Sequence, residues 1–227
     1  MDEALKTRQR RGDDFYLKYL SGKLIDIGAG KDLVTSGAER FDVEDGDANF
    51  ITRYREPEAY DAVHSSHCLE HMFNPINALE EWWSLVKPGG YLILVVPDED
   101  LYEQGIWPSM FNDDHKNTFR LDSKESWSPV SFNIFDLVSS LPNSKIISAE
   151  LHDDFYDYSL MSTYPPRYKC LPAAISLIKK LIRIFPFGKK LLIRLEDFLF
   201  KYKNYPLDQT MRDALAQIQI VATKLPK

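Results

Sequence analysis

The sequence predicts an α/β fold built on a mostly parallel sheet with helices on both faces. Three observations carry that prediction. Lys23 to Gly30, KLIDIGAG, is a short apolar run ending in an acid and two glycines. From Leu24 to Val96, strand-like and helix-like stretches alternate, as in parallel strands joined by covering helices. Tyr91 to Pro97, YLILVVP, is an uninterrupted apolar stretch, as in a strand buried on both sides.

The 227 residues suit one domain, and 44% are hydrophobic, enough for a substantial core. The expected domain runs over 13–227, with a helical insertion at 160–210 before the last strand. A net charge of −6 argues against a general nucleic-acid binder. The two cysteines, Cys68 and Cys170, build no disulfide framework, which fits a cytoplasmic location. The N-terminal MDEALKTRQRRGDD lacks the apolar region of a signal peptide. No apolar run reaches the roughly 18 residues of a membrane span.

Residues 1–12 are charged and are expected to be loose. Phe15 to Leu20 suits a short helix beside the first strand. That strand, Leu24 to Ile27, leads to Gly28 and Gly30, which allow a sharp turn and bring backbone amides close to a ligand. Asp26 lies at the strand's carboxyl end, where open α/β sheets bind ligands. RFDVED follows after about ten residues, near the minimum for a crossover, so the first helix must be short or irregular. Asp42, Glu44, Asp45 and Asp47 crowd the next window, either as a solvated turn or as the source of an acid for a ribose diol.

Tyr60 to His64 reads as a third strand. Asn74 and Pro75 open a helix in which Ile76, Leu79, Trp82 or Trp83, and Val86 recur at helical spacing, stopped by Pro88, Gly89 and Gly90. Residues 98–128 read as a long aromatic-rich loop, a length usually tied to function. A helix is expected over 131–141, and strands over Lys145 to Leu151 and Gln217 to Thr223. Between those strands, residues 167–203 carry ten Lys or Arg against two acids. Helices over 173–185 and 189–203 each have an apolar and a basic side. They suit packing on the domain or a second copy, a lid, or peripheral contact of 173–203 with anionic lipid.

Together, LIDIGAG, FDVEDGDA, YDAVHSSHCLEHMFNP, ALEEWWSLVKPGGYLILVVP and DQTMRDALAQIQIVATK resemble class I S-adenosylmethionine-dependent methyltransferases, in particular the small bacterial type associated with polysaccharide biosynthesis. The resemblance implies a Rossmann-like sheet with an antiparallel final strand. It implies S-adenosyl-L-methionine as cofactor and a small-molecule or glycan-precursor acceptor, and it requires no metal; the acidic charge adds the expectation of no nucleic-acid partner. Asp26, Gly28, Ala29 and Gly30 would form the loop around the methionine part. Asp42 would hold the ribose, with Glu44 as fallback. Asp47 and Ala48 would meet the adenine, and Ser66 and His67 would line the site near the methyl group. The usual third glycine is replaced by Asp32 or absent, and this, with the late QIQIVATK strand, disfavours an NAD oxidoreductase.

An alcohol acceptor calls for a general base, typically a ~10²–10⁴-fold effect. His115, in FNDDHKNTF, is the first choice, with Asp113 or Asp114 orienting its ring; His67 is a second catalytic candidate. His71 is structural or substrate-adjacent. Lys116 and Arg120 could hold an acceptor phosphate or carboxylate. His64, His67 and His71 look like a cluster, but no H-E-x-x-H motif accompanies them. Acceptors weighed beside sugars and sugar nucleotides are small phosphate-containing metabolites and amines; a non-catalytic cofactor-binding module is the remaining reading.

Overall fold

A computed structural model describes residues 3–122, 125–161, 177–178, 181–182, 185, 187–203 and 205–226. Two short helices open it, α1 (Glu3–Arg10) and α2 (Asp13–Tyr19). Then come β1 (Leu24–Ile27), β2 (Glu39–Phe41), β3 (Tyr60–Ser66), α3 (Pro75–Ser84) and β4 (Val86–Pro97). The second half holds β5 (Thr118–Arg120), β6 (Ser131–Asn133), α4 (Ile134–Ser139), β7 (Ser144–His152), α5 (Gly188–Lys203) and β8 (Gln217–Lys224).

Six strands form one sheet in the order β2-β1-β3-β4-β8-β7. Neighbours from β2 through β4 are parallel, and β8 runs antiparallel to both β4 and β7. This is the expected Rossmann-like sheet with a reversed final strand. Side-chain alternation divides each strand between two faces. Ile25, Ile27, Val63, Leu92 and Leu94 pack with Leu79 and Trp82 of α3. Leu24, Ala62, Ile93 and Val221 face the other way, against Phe15, Tyr16 and Tyr19 of α2. The same alternation puts Asp26 and His64, paired in register, on the α2 face.

Asn74 caps α3 as its residue type predicts: its side chain accepts from the backbone N–H groups of Ile76 and Asn77. Elsewhere the structure departs from expectation. Residues 3–10 are helical, because their charged side chains find partners far along the chain. Lys6 Nζ donates to the carbonyls of Thr210 and Ala214 at 2.9 and 2.8 Å. No helix joins β1 to β2; turns fill that short crossover. Pro88, Gly89 and Gly90 lie within β4 rather than ahead of it, beside a register shift.

The loop after β4 contains a helical turn at Glu99–Glu103 and strand β5. The expected 131–141 helix begins only at Ile134, since Asn133 caps it and residues 131–133 pair with β5. Helix α5 agrees with the expected 189–203 helix, with Leu192, Glu196 and Leu199 buried and Lys190, Arg194, Asp197 and Lys201 exposed. Most of the 173–185 helix lies outside the described residues.

Trp82 is fully buried and its indole N–H donates to the Ala48 carbonyl at 2.8 Å, so α3 is stapled to the turn after β2. Trp82→Ala should therefore lower stability by about 3–5 kcal/mol in denaturant unfolding. A loss below about 1 kcal/mol would show that α3 does not anchor this face.

Candidate active site

A cavity of about 340 Å³ opens at the carboxyl ends of β1 and β3. Asp26, Gly28, Gly30, His64, Ser66 and His67 form its floor, and Thr7, Arg8, Arg11 and Tyr16 close it from the N-terminal helices and the bend between them. Gly28 has φ +75°, and a Cβ there would lie 2.6 Å from the Cys68 Cβ. Any side chain would have to displace the start of the β3–α3 connection.

The cavity wall carries a relay of three groups. Arg11 Nη1 lies 3.2 Å from His64 Nε2, and His64 Nδ1 lies 2.6 Å from Asp26 Oδ1. Arginine only donates, so His64 Nε2 accepts and Nδ1 carries the proton given to Asp26. Burial lowers the His64 pKa against the pull of Asp26, consistent with a neutral ring. The other Asp26 oxygen accepts from the Val34 N–H at 2.7 Å, fastening the turns that replace the first helix. Burial also pulls Arg11 down to about 10, which leaves it charged at neutral pH.

Three cavity residues carry a buried polar atom without a well-formed hydrogen bond, Arg11 Nη2, Tyr16 Oη and Ser66 Oγ, with Arg11 and Tyr16 close enough to attract one another. Buried polar groups are normally satisfied, so this cavity has hydrogen-bonding capacity that a polar ligand could use.

Of the crowded acids, Asp42 stands nearest this turn: Oδ2 accepts from the Gly30 N–H at 2.6 Å. Glu44 pairs with Arg40, which also holds Asp45 at 2.9 Å and so relieves the acid–acid repulsion. Asp47 caps a 3₁₀ turn, Ala48–Arg53, by accepting from the Asn49 N–H. Asp42, Glu44, Asp47 and Ala48 lie outside the cavity lining; Ala29 lies within it.

Beside the cavity stands a second constellation. His67 has φ +53°, and its Nε2 lies 2.9 Å from Gln217 Oε1. Its Nδ1 lies 3.7 Å from Oε1 of Glu70, a fully buried carboxylate. His71 Nε2 and His115 Nε2 approach the same oxygen at 3.8 and 3.9 Å. Burial pushes the Glu70 carboxyl up, but His67, His115 and His71 outweigh it and hold the group below its ordinary pKa. The histidine cluster is thus 67, 71 and 115 around Glu70, whereas His64 belongs to the relay. His115 is oriented by Glu103, 2.8 Å from Nδ1, while Asp114, expected there, lies 3.0 Å from His71 Nδ1. Lys116 pairs with Asp114, and Arg120 donates to Ser131 Oγ in the small β5–β6 sheet. Neither lines the cavity.

A family model described as a methyltransferase domain matches residues 4–128, more than half of the chain. The chain belongs to the methyltransferase-domain family. It is an enzyme of that family, with S-adenosyl-L-methionine as cofactor. Among solved structures it is similar to the YcgJ protein of Bacillus subtilis, with 13% identity over 99% of both chains and a TM-score of 0.51. It is also similar to a protein of Bacillus halodurans, BH2331, with 12% identity over 99% of both chains and a TM-score of 0.51. A SAM-dependent methyltransferase from Archaeoglobus fulgidus aligns with 17% identity over 98% of this chain and 94% of its own, with a TM-score of 0.48. At such identities the likeness concerns the fold. No curated protein matches the sequence.

Sequence reasoning missed the methyltransferase's contacts from α1 and α2, as well as Gln217, Glu70 and Glu103. Gln217 was visible only as a strand residue; its side chain links three elements. Its Nε2 donates to Thr7 Oγ1 at 2.8 Å and lies 3.3 Å from His152 Nδ1, while Oε1 faces His67.

Burial drives His152 from 6.5 down to about 4. The folded ring stays neutral where the unfolded one takes up a proton, so its contribution is complete above pH 6.5 and is lost as pH falls toward 4. His152→Gln should flatten the pH dependence of the unfolding midpoint across that window. An unchanged slope would contradict the assignment.

Proposed function

We propose that this methyltransferase methylates a hydroxyl oxygen of a sugar, sugar nucleotide or cell-surface glycan precursor. The observation that carries the cofactor's placement is the set of incompletely bonded polar atoms above the glycine turn, Arg11 Nη2 foremost. When bound, S-adenosylmethionine supplies a methyl group already activated on a cationic sulfur. The protein's task is then to position the reactants and manage one proton.

The Arg11 guanidinium suits the carboxylate of the cofactor's methionine part, with Tyr16 and Ser66 as further polar partners. Gly28 and Gly30 let the backbone approach, and Asp42 stands beside that turn as the ribose acid. His67 is the histidine of the Glu70 cluster that reaches the cavity wall. His67 Nε2 lies 2.9 Å from Gln217 Oε1 and its Nδ1 lies 3.7 Å from the Glu70 carboxylate, which would stabilise the imidazolium formed when the ring takes a proton. That makes His67, rather than the more deeply set His115, the proton acceptor for the acceptor hydroxyl. The acceptor class itself is supported by the sequence resemblance to polysaccharide-associated enzymes.

Two measurements test this reading. Calorimetry with S-adenosylhomocysteine should show Arg11→Met binding about 10–100-fold more weakly, the worth of a charged hydrogen bond; equal affinity would remove Arg11 from the site. Release of S-adenosylhomocysteine with a panel of sugar nucleotides should fall by ~10²–10⁴-fold in His67→Ala, with cofactor binding intact. Cofactor binding without turnover on any sugar in the panel would reject the acceptor class.

A further inference from the structure

We propose that Glu70, His71 and His115 form a binding site for a divalent first-row transition cation, such as zinc or manganese, next to the cofactor cavity. This departs from the metal-free expectation of the sequence. It rests on three observations that agree.

The first is distance. Glu70 Oε1, His71 Nε2 and His115 Nε2 each offer one ligand atom, and such atoms of the three residues all lie within 4.8 Å of one another. The two histidine nitrogens stand 3.8 and 3.9 Å from the carboxylate oxygen. Ligands at about 2.0–2.2 Å around a tetrahedral ion stand roughly 3.3–3.5 Å apart. The two Glu–His separations need a contraction of about half an ångström, and the two histidine nitrogens, within 4.8 Å of each other, close by side-chain rotation.

The second is the outer contact of each ring. His71 Nδ1 lies 3.0 Å from Asp114 Oδ2, and His115 Nδ1 lies 2.8 Å from Glu103 Oε1. With Nδ1–H given to a carboxylate, each ring in its neutral form turns the Nε2 lone pair toward Glu70. A carboxylate behind each imidazole is the arrangement by which proteins orient metal-ligating histidines and raise their basicity.

The third is the state of Glu70. It is fully buried, and its Oε1 meets three imidazoles at 3.7 to 3.9 Å, looser than an ordinary hydrogen bond. An ionised carboxylate in that position is costly unless a cation meets it. Lone pairs aimed at an anion repel, so a positive charge belongs between them. A ring proton is one candidate for that charge. Two imidazoles and one carboxylate, each braced from behind, fit a nitrogen- and oxygen-loving transition ion better.

Three protein ligands leave coordination positions open. His67, which lines the cavity and faces Glu70, connects them to the place where the acceptor would lie. Given the methyltransferase reading, a cation held by Glu70, His71 and His115 would supply Lewis-acid chemistry, lowering the pKa of an acceptor hydroxyl as it does that of bound water. The hydroxyl proton passes to His67. The oxygen then forms its bond to the methyl carbon as the carbon–sulfur bond breaks, and the sulfur keeps that electron pair.

The test titrates metal-free full-length protein with Co²⁺, whose visible absorption reports its coordination. The wild type should take up one equivalent with the strong absorption of a four- or five-coordinate ion, displaced by Zn²⁺. Glu70→Gln, nearly isosteric, should weaken uptake by more than about 100-fold, beyond the loss caused by removing an outer-shell partner. His71→Gln, at a half-buried position, gives the same reading if Glu70→Gln does not fold. Equal cobalt uptake in wild type and folded variants, or none in the wild type, would overturn the site. Calorimetry with S-adenosylhomocysteine on the same samples separates the two readings. Cobalt uptake without that binding keeps the site and rejects the methyltransferase reading; the converse rejects the site alone.

Discussion

The buried Asp26 carboxylate is the contact on which the active end of the molecule depends. The parallel register of β1 and β3 sets it beside His64, whose ring is held at 2.6 Å. Its second oxygen pins Val34 at 2.7 Å, so a crossover too short for a helix still has a defined path. Through His64 it also reaches Arg11 and so fixes where the N-terminal helices sit. One anion thereby shapes the floor, one wall and the cover of the cavity. Replacing it with a neutral group would leave His64 and the Val34 amide short of a partner in a buried place, a costlier change than the loss of a single contact suggests.

The reversed final strand adds a second point of convergence. Gln217 meets Thr7, His152 and His67 at once, and Gln219 accepts from Arg11 at 2.8 Å. Both chain ends therefore close on the carboxyl edge of the sheet. The polar network continues from His152 through Gln217 and His67 to Glu70, which couples the cavity to the histidine cluster. Such networks rigidify a site when every member is satisfied. Here Ser66, Tyr16, Arg11 and Glu70 carry unsatisfied atoms where ligands are inferred, while His152 Nε2 is unsatisfied away from both places.

Much of the sheet was legible because burial writes itself into local pattern. LIDI, YLILVVP and the alternating QIQIVATK announce strands without any partner, and Asn74 announces its helix by cap chemistry. What could not be read depends on contacts between distant residues. Helix α1 looks like a charged tail until Lys6 finds carbonyls more than 200 positions away. The β5–β6 pair joins two segments with little strand character of their own. At the site, the glycine turn and Ser66–His67 were visible as motifs. Glu70 carries no sequence signal of its own, because only the fold brings His115 to it and Glu103 behind His115.

The central claim is that the cavity over the β1 turn is where the methyl donor sits. A crystal structure of the protein with S-adenosylhomocysteine tests it most directly. The ligand is expected over Gly28 and Gly30, with its carboxylate against Arg11 and its ribose beside Asp42. A ligand bound elsewhere, with this cavity vacant in the same crystal, would contradict it.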